Sequence, residues 1–575
     1  MPLRICLVTP FSWSQPHDTN EHVGGAAGAL RERGHQVTVI APSSSRRALA
    51  AGRRAIATGE APEVLAVGPA VPVSRRSQLG VAARAATREA LRYGRFDIVH
   101  GFEPTLPSLA QFALLDAETL TVTTFESAER AAYPATKAQR DRLLARVDQL
   151  LTTSEQTAEI VELRYPGSYR VVPLGVDGGR FVPGPKRKLI VAQVESAARA
   201  IPRSAIRALD ELPEWELILL HTAPLTWRPA IPPRLRPRVH VRSGRRPEAR
   251  VALLAKASIF CPAPGHERTR LEAQASGCAI ASPHAAEEQP ELVTAAVARL
   301  AENDRHRTLE AGRSRAEAER QSFERLAEEL EDVYMSLIAK RRPAFTHRNG
   351  AAPEHILVDL HMHTRWSHDC SIEVEELLDH AQAIGLGAIA ITDHNVFGGA
   401  LEATALAAGR ELVVIPGEEV KTDGQGEVIG LFLEREIPRG MTFAETIAAI
   451  REQNGIVYLP HPFDRMHAIP DPATLHRHLS DIDVFEVYNA RLLRESFNHE
   501  ALRFARKFRL LQGAGSDAHV LQGVGTGALR LPRFESRDEF LAALRDAEVV
   551  RRPKSLAYLQ SLKWVAQMRE GLASR

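Results

Sequence analysis

The chain has 575 residues, more than one hydrophobic core usually serves, so about three domains are expected. Hydrophobic content of 44% and charged content of 25% are those of a globular protein, and 73 basic against 71 acidic residues leave a formal net charge of +2. That balance gives no indication of a nucleic-acid or membrane partner, and no stretch approaches the ~20 apolar residues of a membrane span.

The opening MPLRICLVTPF is apolar only from Ile5 to Val8. A signal core needs ~7–15 apolar residues, so this run reads as a buried first strand. Strand Arg4–Thr9, helix Glu21–Arg33 and strand Gln36–Ala41 begin a series continued by Asp97–His100, Leu120–Thr124 and Gln149–Thr153. This βαβ rhythm predicts a parallel sheet with helices on both faces. A second run follows at Lys188–Ala192, Glu216–His221, His240–Arg242, Ile259–Pro262 and Ala279–Ala281. The Gly- and Pro-rich VVPLGVDGGRFVPGPKRK between the runs is expected to be a hinge. Residues 307–340 read as nearly unbroken helix, and RRPAFTHRNGAAPEH (341–355) as a linker. The expected division is thus 1–180, 181–340, the linker, and 356–575. Cys6, Cys261, Cys278 and Cys370 form no CxxC pair, which sets aside a disulfide framework and a thiolate zinc site and fits a cytoplasmic location.

The C-terminal segment is dense in histidine, with 12 of the chain's 22 between His355 and His519. In ILVDLHMH (356–363), taken as a strand, alternation puts Asp359, His361 and His363 on one face. Further ligand-type residues close predicted strands: His394 in GAIAITDHN, Glu419 in VVIPGEEV, His461 in GIVYLPHPFD, and Asp517 with His519 in LQGAGSDAH. One such histidine alone is more often a surface or hydrogen-bonded core residue. Parallel strands that each end in His, Asp or Glu instead gather these side chains at one rim of a barrel, where barrel active sites are built. Imidazole and carboxylate donors without thiolate suit Zn²⁺, Mn²⁺ or Fe.

DLHMHT, ITDHN, PGEEV, PHPFDR and GSDAH, in this order, resemble the PHP (polymerase and histidinol phosphatase) family over about 355–532. The resemblance implies a distorted (β/α)7 barrel with up to three metal ions at the carboxyl ends of its strands. It implies His361, His363, Glu419, His461, Asp517 and His519 as ligands, with His394 and Asp369 completing a third position. Many members carry a histidine in the segment that here reads GEVIGLF. Glu427 stands there, either as a ligand or as a solvated strand-edge acid.

The chemistry so implied is hydrolysis of a phosphomonoester or phosphodiester by metal-bound hydroxide, with two or three divalent ions and a small phosphorylated substrate. His519 or His363 is the expected proton donor to the leaving group, with Asp517 also in the catalytic set. Arg365, Arg465 and Arg491 follow the ligand segments and are candidates for the phosphate charge, as is Lys421 more weakly; each is also readable as a surface residue. No nucleophile elbow stands out in this region.

The N-terminal PFSWSQPHDTNEHVGGAAGALRERGHQVTVIAP, with FDIVHGFEP, LLTTSE and VVPLGVDGGRF, resembles family 4 glycosyltransferases of the GT-B type over about 340 residues. Two Rossmann-like domains facing a cleft are implied, with a final helix crossing back to the first. The positions that carry chemistry depart from the pattern. His17 and Asp18 replace a glycine pair, Gln193 stands where an arginine binds the donor diphosphate, and only Arg199 lies near the lysine position. Four residues rather than seven separate Glu267 from Glu272. A diphosphate would thus lack its main electrostatic partner, although Gly24 and Gly25 at a helix start are readable as an anion cradle or as packing positions.

Three readings follow: a phosphoesterase fused to an inactive transferase-like region, a bifunctional enzyme that still transfers a sugar, and a regulatory module whose N-terminal domains capture a nucleotide or glycan while the barrel acts on a partner, with a nucleotide sugar or glycan the candidate occupant of the N-terminal cleft. The first is preferred.

Overall fold

The computed structural model describes residues 2–69, 81–104, 108–127, 136–195, 198–222, 224–264, 267–281, 290–342, 354–466, 468–555 and 561. The chain divides into two compact units, Met1–Ile338 and Ala339–Arg575.

In the first unit, β1 (Arg4–Val8), β2 (Gln36–Ser43), β3 (Val64–Pro69), β4 (Ile98–Phe102), β5 (Leu120–Phe125), β6 (Gln149–Thr152) and β7 (Tyr169–Val171) form a sheet of order β3-β2-β1-β4-β5-β6-β7. Every pairing in it is parallel. Its inner strands are covered on both faces, which is why they read as continuous apolar runs rather than as alternation. β8 (Leu189–Gln193), β9 (Glu216–His221), β10 (Val239–Ser243), β11 (Ile259–Cys261) and β12 (Ala279–Ile280) make a second parallel sheet of order β10-β9-β8-β11-β12. Each sheet has its own apolar core, and together they are the two Rossmann-like halves of a GT-B arrangement.

The helix expected over 307–340 is two helices, Asp304–Glu319 and Phe323–Ala339. Nothing local breaks it, since Arg320–Ser322 contains neither Gly nor Pro. The interruption is tertiary: Val176 of the hinge segment bridges Ser322, donates its N–H to the Gln321 carbonyl at 2.8 Å, and accepts from the Phe323 N–H at 3.3 Å. The second helix returns to the first sheet, where Tyr334 Oη lies 2.7 Å from His100 Nδ1 on β4.

The second unit is built on β13 (His355–Asp359), β14 (Ala388–Ile391), β15 (Val413–Lys421), β16 (Glu427–Leu431), β17 (Ile456–Leu459), β18 (Val484–Asn489) and β19 (Leu511–Gly515). β20 (Gly527–Pro532) and β21 (Glu548–Arg551) extend the sheet antiparallel beyond β13. β16 runs antiparallel to both neighbours and distorts an otherwise parallel barrel. The strand expected over 356–363 stops at Asp359, because the chain beyond it turns to close the barrel against the end of β19. Leu360 N–H donates to the Ala514 carbonyl at 3.2 Å, Met362 bridges Ala518, and Asp517 N–H donates to the His361 carbonyl at 2.7 Å. A Cβ on Gly515 would stand 2.3 Å from His361 Cβ, so only glycine lets the two segments meet. The core beneath joins Val358, Leu360, Ala390, Ile415, Tyr458 and Val484.

Of the linker expected over 341–355, residues 343–353 lie outside the described ones. Its flanks belong to the barrel unit: Arg342 N–H donates to the Phe508 carbonyl at 3.2 Å, and His355 already opens β13. Among the described residues no helix is long and apolar enough to cross a membrane.

Candidate metal centre

Glu419 is the hub of the barrel's rim. It lies on the part of β15 that has left β14 and pairs with β16, and its side chain is 1% exposed. Its Oε2 is 3.1 Å from His394 Nδ1, 3.3 Å from His361 Nε2 and 3.5 Å from His363 Nε2, and its Oε1 is 3.1 Å from His461 Nε2. Asp517 Oδ1 approaches His363 Nε2 at 3.4 Å, and His519 Nε2 lies 3.0 Å from Asp369 Oδ2. All eight residues expected as ligands therefore converge.

The donors suit a metal. His363 is fully buried, yet among the described residues its Nε2 has no hydrogen-bond partner and stands 3.5 and 3.4 Å from the carboxylates of Glu419 and Asp517. Burial and the neighbouring His519 and His394 hold this imidazole well below its ordinary value, which keeps it in the neutral, ligating form. Burial alone would raise the Glu419 carboxyl, but the surrounding imidazoles, His361 foremost, outweigh it and hold the carboxylate well below its usual range. His461 (φ 27°) and Asp517 (φ 51°) both sit in left-handed backbone, a strain tolerated where the surrounding structure dictates side-chain aim.

Behind the rim stand residues that sequence reasoning missed. Glu486 on β18 is fully buried and lies 3.1 Å from His361 Nδ1, while Tyr458 Oη and the His461 N–H donate to it at 2.9 and 2.6 Å. Ser367 Oγ lies 3.1 Å from His363 Nδ1 and donates to Asp393 at 2.7 Å. Such carboxylates fix the tautomer and direction of a ligand histidine. The signal for Glu486 was a single acid inside the apolar strand VFEVYN, and Asp393 stands in ITDHN itself. Glu486→Gln is expected to weaken metal binding about 10- to 100-fold with the fold retained, measured by titrating metal-free protein. Unaltered affinity would reduce Glu486 to a space-filling role.

The arginines separate. Arg491 Nη1 reaches Asp517 Oδ1 at 3.1 Å and His519 Nε2 at 3.2 Å, directly at the cluster. Arg465, expected beside it, is half-exposed and pairs with Glu500 at 3.6 Å. Arg365 turns to Glu373 and Glu402, each at 3.0 Å, and the Lys421 side chain is exposed. The guanidinium groups are claimed by acids on neighbouring helices, Glu402 within Gly398–Leu406, Glu500 within Glu495–Phe508 and Glu373 at the N-cap of Val374–Ala383, and Lys421 ends its strand facing solvent.

The cleft of the first unit holds a cavity of about 690 Å³ lined by residues that include Trp13, Glu21, Arg180, Arg268 and Glu272. His17 caps helix Asp18–Glu32 through Nδ1 and stacks on Phe11, its ring centroid 3.4 Å away. Gly24 and Gly25 both line the cavity; a Cβ on Gly24 would meet Trp13 at an ordinary 3.5 Å, whereas one on Gly25 would fall 2.1 Å from the Phe323 ring. Gln193 is fully buried and accepts from the Ala263 N–H at 3.3 Å, while Arg199 sits over the Trp227 ring at 5.4 Å. Glu272 is buried and held by Arg250 through two bonds of 2.6 and 2.8 Å, and Glu267 pairs with Arg270 at 2.8 Å.

Family comparison agrees with both halves. The PHP domain family matches residues 359–500, a PHP-associated family 495–549, and glycosyltransferase family 4 residues 19–180. An uncharacterized protein of Methanocaldococcus jannaschii is 36% identical over 199 residues, covering 33% of this chain and 78% of its own. The phosphatidyl-myo-inositol mannosyltransferase of Propionibacterium freudenreichii is 33% identical over 178 residues, which span 30% of this chain and 45% of that relative. Among solved structures, a sucrose-phosphate synthase from Thermosynechococcus elongatus covers 58% of this chain and 99% of its own at 13% identity, with a TM-score of 0.45. The C-terminal unit thus carries a PHP domain followed by a PHP-associated domain, and a glycosyltransferase family 4 region lies ahead of them.

Proposed function

We propose that the barrel hydrolyses a phosphomonoester or phosphodiester with divalent ions, Zn²⁺, Mn²⁺ or Fe, held by His361, His363, Asp369, His394, Glu419, His461, Asp517 and His519. The observation that carries this reading is the Glu419 carboxylate surrounded by four imidazoles, with a buried and unpartnered His363 Nε2 aimed at it. Divalent ions bound there would polarise a phosphoryl oxygen and lower the pKa of a water. Arg491 offers its guanidinium to the remaining phosphate charge from the mouth of the cluster. His519, whose Nε2 lies 3.0 Å from Asp369, would hand a proton to the departing alkoxide only in a state in which that nitrogen is not a metal ligand.

The first unit is proposed to have given up sugar transfer. Glu272 is neutralised by a buried arginine and Gln193 replaces a cation, which leaves a donor diphosphate without a strong partner. Its cavity favours a remaining role in binding, with a nucleotide sugar or glycan as occupant.

The test is metal analysis of the purified chain followed by a panel of phosphomonoesters and phosphodiesters. Bound metal and hydrolysis that both vanish in His361→Ala/His363→Ala are expected. Protein without metal, or a double variant of undiminished activity, sinks the reading.

A further inference from the structure

Glu427 opens β16 opposite Lys421 of β15, at the point where β16 reverses direction relative to its neighbours. Its Oε2 stands 3.7 Å from His461 Nε2, and its side chain is 20% exposed. Among the described residues no hydrogen-bond donor reaches this carboxylate. One oxygen of Glu427, one of Glu419 and one nitrogen of His394 lie within 4.8 Å of one another. Two carboxylates that converge in a largely buried place repel each other unless a proton or a cation lies between them. Nearby, His363 Nε2 stands 3.5 Å from Glu419 Oε2 and has no hydrogen-bond partner among the described residues.

The donor types are graded across the rim. His363, His394 and His519 form an all-imidazole group, whereas His394, Glu419 and Glu427 supply two carboxylates for one imidazole. Carboxylate oxygen suits harder ions such as Mn²⁺, and imidazole suits Zn²⁺. We propose that Glu427 is a direct metal ligand and that the position it shares with Glu419 and His394 favours Mn²⁺ over Zn²⁺ more strongly than the histidine-rich positions do. The inference rests on the barrel being a metal centre. It departs from the histidine that the family resemblance would place in this segment.

The experiment uses the full chain, stripped of metal and re-equilibrated with Mn²⁺, Zn²⁺ or both, with bound ions counted by mass spectrometry. Glu427→Gln, which keeps the shape, is expected to lose one equivalent of Mn²⁺ while retaining Zn²⁺ at the histidine-rich positions. Glu427→His is expected to regain that equivalent with Zn²⁺ in preference to Mn²⁺, and circular dichroism shows that both variants are folded. Unchanged Mn²⁺ stoichiometry in Glu427→Gln, together with an unchanged Mn²⁺/Zn²⁺ ratio in Glu427→His, overturns the assignment while leaving the phosphoesterase reading intact. A wild-type chain that takes up no metal overturns both.

Discussion

Glu419→Gln is expected to strip the barrel of bound metal and to lower phosphoesterase turnover by on the order of 10³-fold. No other carboxylate of the cluster contacts four imidazoles, and both of its oxygens are engaged. Glutamine keeps the volume but removes the charge that draws His361, His363, His394 and His461 together around an ion. In metal-free wild type, burial works against a charged His461, yet Glu419 and Glu486 outweigh it and push this imidazole up to about 9. An ion binding at pH 7 must therefore displace that proton, so wild-type affinity should rise from pH 7 toward 9. The variant, without Glu419, should show a weaker rise. A readout independent of turnover is the thermal midpoint of the barrel. Metal at 100 times its Kd adds about 2.7 kcal/mol to wild type and nothing to a protein that no longer binds it. A variant whose midpoint still climbs with added metal removes Glu419 from the centre of the site.

How far this centre was legible from sequence depended on where each partner sits in the chain. His361 and His363 are two residues apart, Asp517 and His519 likewise, and each set follows an apolar run that announces a strand. Glu486 lies 125 positions from the histidine it orients, and only the barrel's closure brings them within 3.1 Å. Arg465 and Arg491 looked alike because both follow a ligand-bearing or strand-end segment. The turn after β18, where Arg491 N–H donates to Asn489 Oδ1 at 2.9 Å, aims one inward, while Glu500 draws the other aside. The break between the helices Asp304–Glu319 and Phe323–Ala339 was illegible for the same reason, since its cause is Val176, far away in sequence. Departures in the transferase-like half were legible as missing residues. The surroundings of Glu272 were not: nothing local to Arg250 says that it will be buried against that glutamate.

That arginine sets the second large expected effect. Arg250 is 1% exposed, lies on helix Pro247–Leu254 of the second sheet's layer, and donates to Glu272 at 2.6 and 2.8 Å and to the Gly244 carbonyl at 2.7 Å. It also donates at 2.6 Å to Glu21, on the helix Asp18–Glu32 that covers the first sheet, so the network ties the two Rossmann-like halves together. Arg250→Ala leaves Glu272 buried with only Arg268, 3.4 Å away, and is expected to cost the first unit on the order of 3–5 kcal/mol. The measurement is the unfolding transition of that unit in the full chain, with the metal content of the barrel expected to be unchanged because every proposed ligand lies in the second unit. Arg250→Met/Glu272→Leu separates a charge network from simple packing. Burying an ion pair is expensive, so apolar side chains of similar volume should restore most of the lost stability. Recovery in the double variant means that apolar packing can replace the pair and that stability does not depend on its charges. Equal loss in both variants instead means that apolar volume cannot stand in for the charges, and that the Arg250–Glu272–Glu21 network itself holds this part of the unit together.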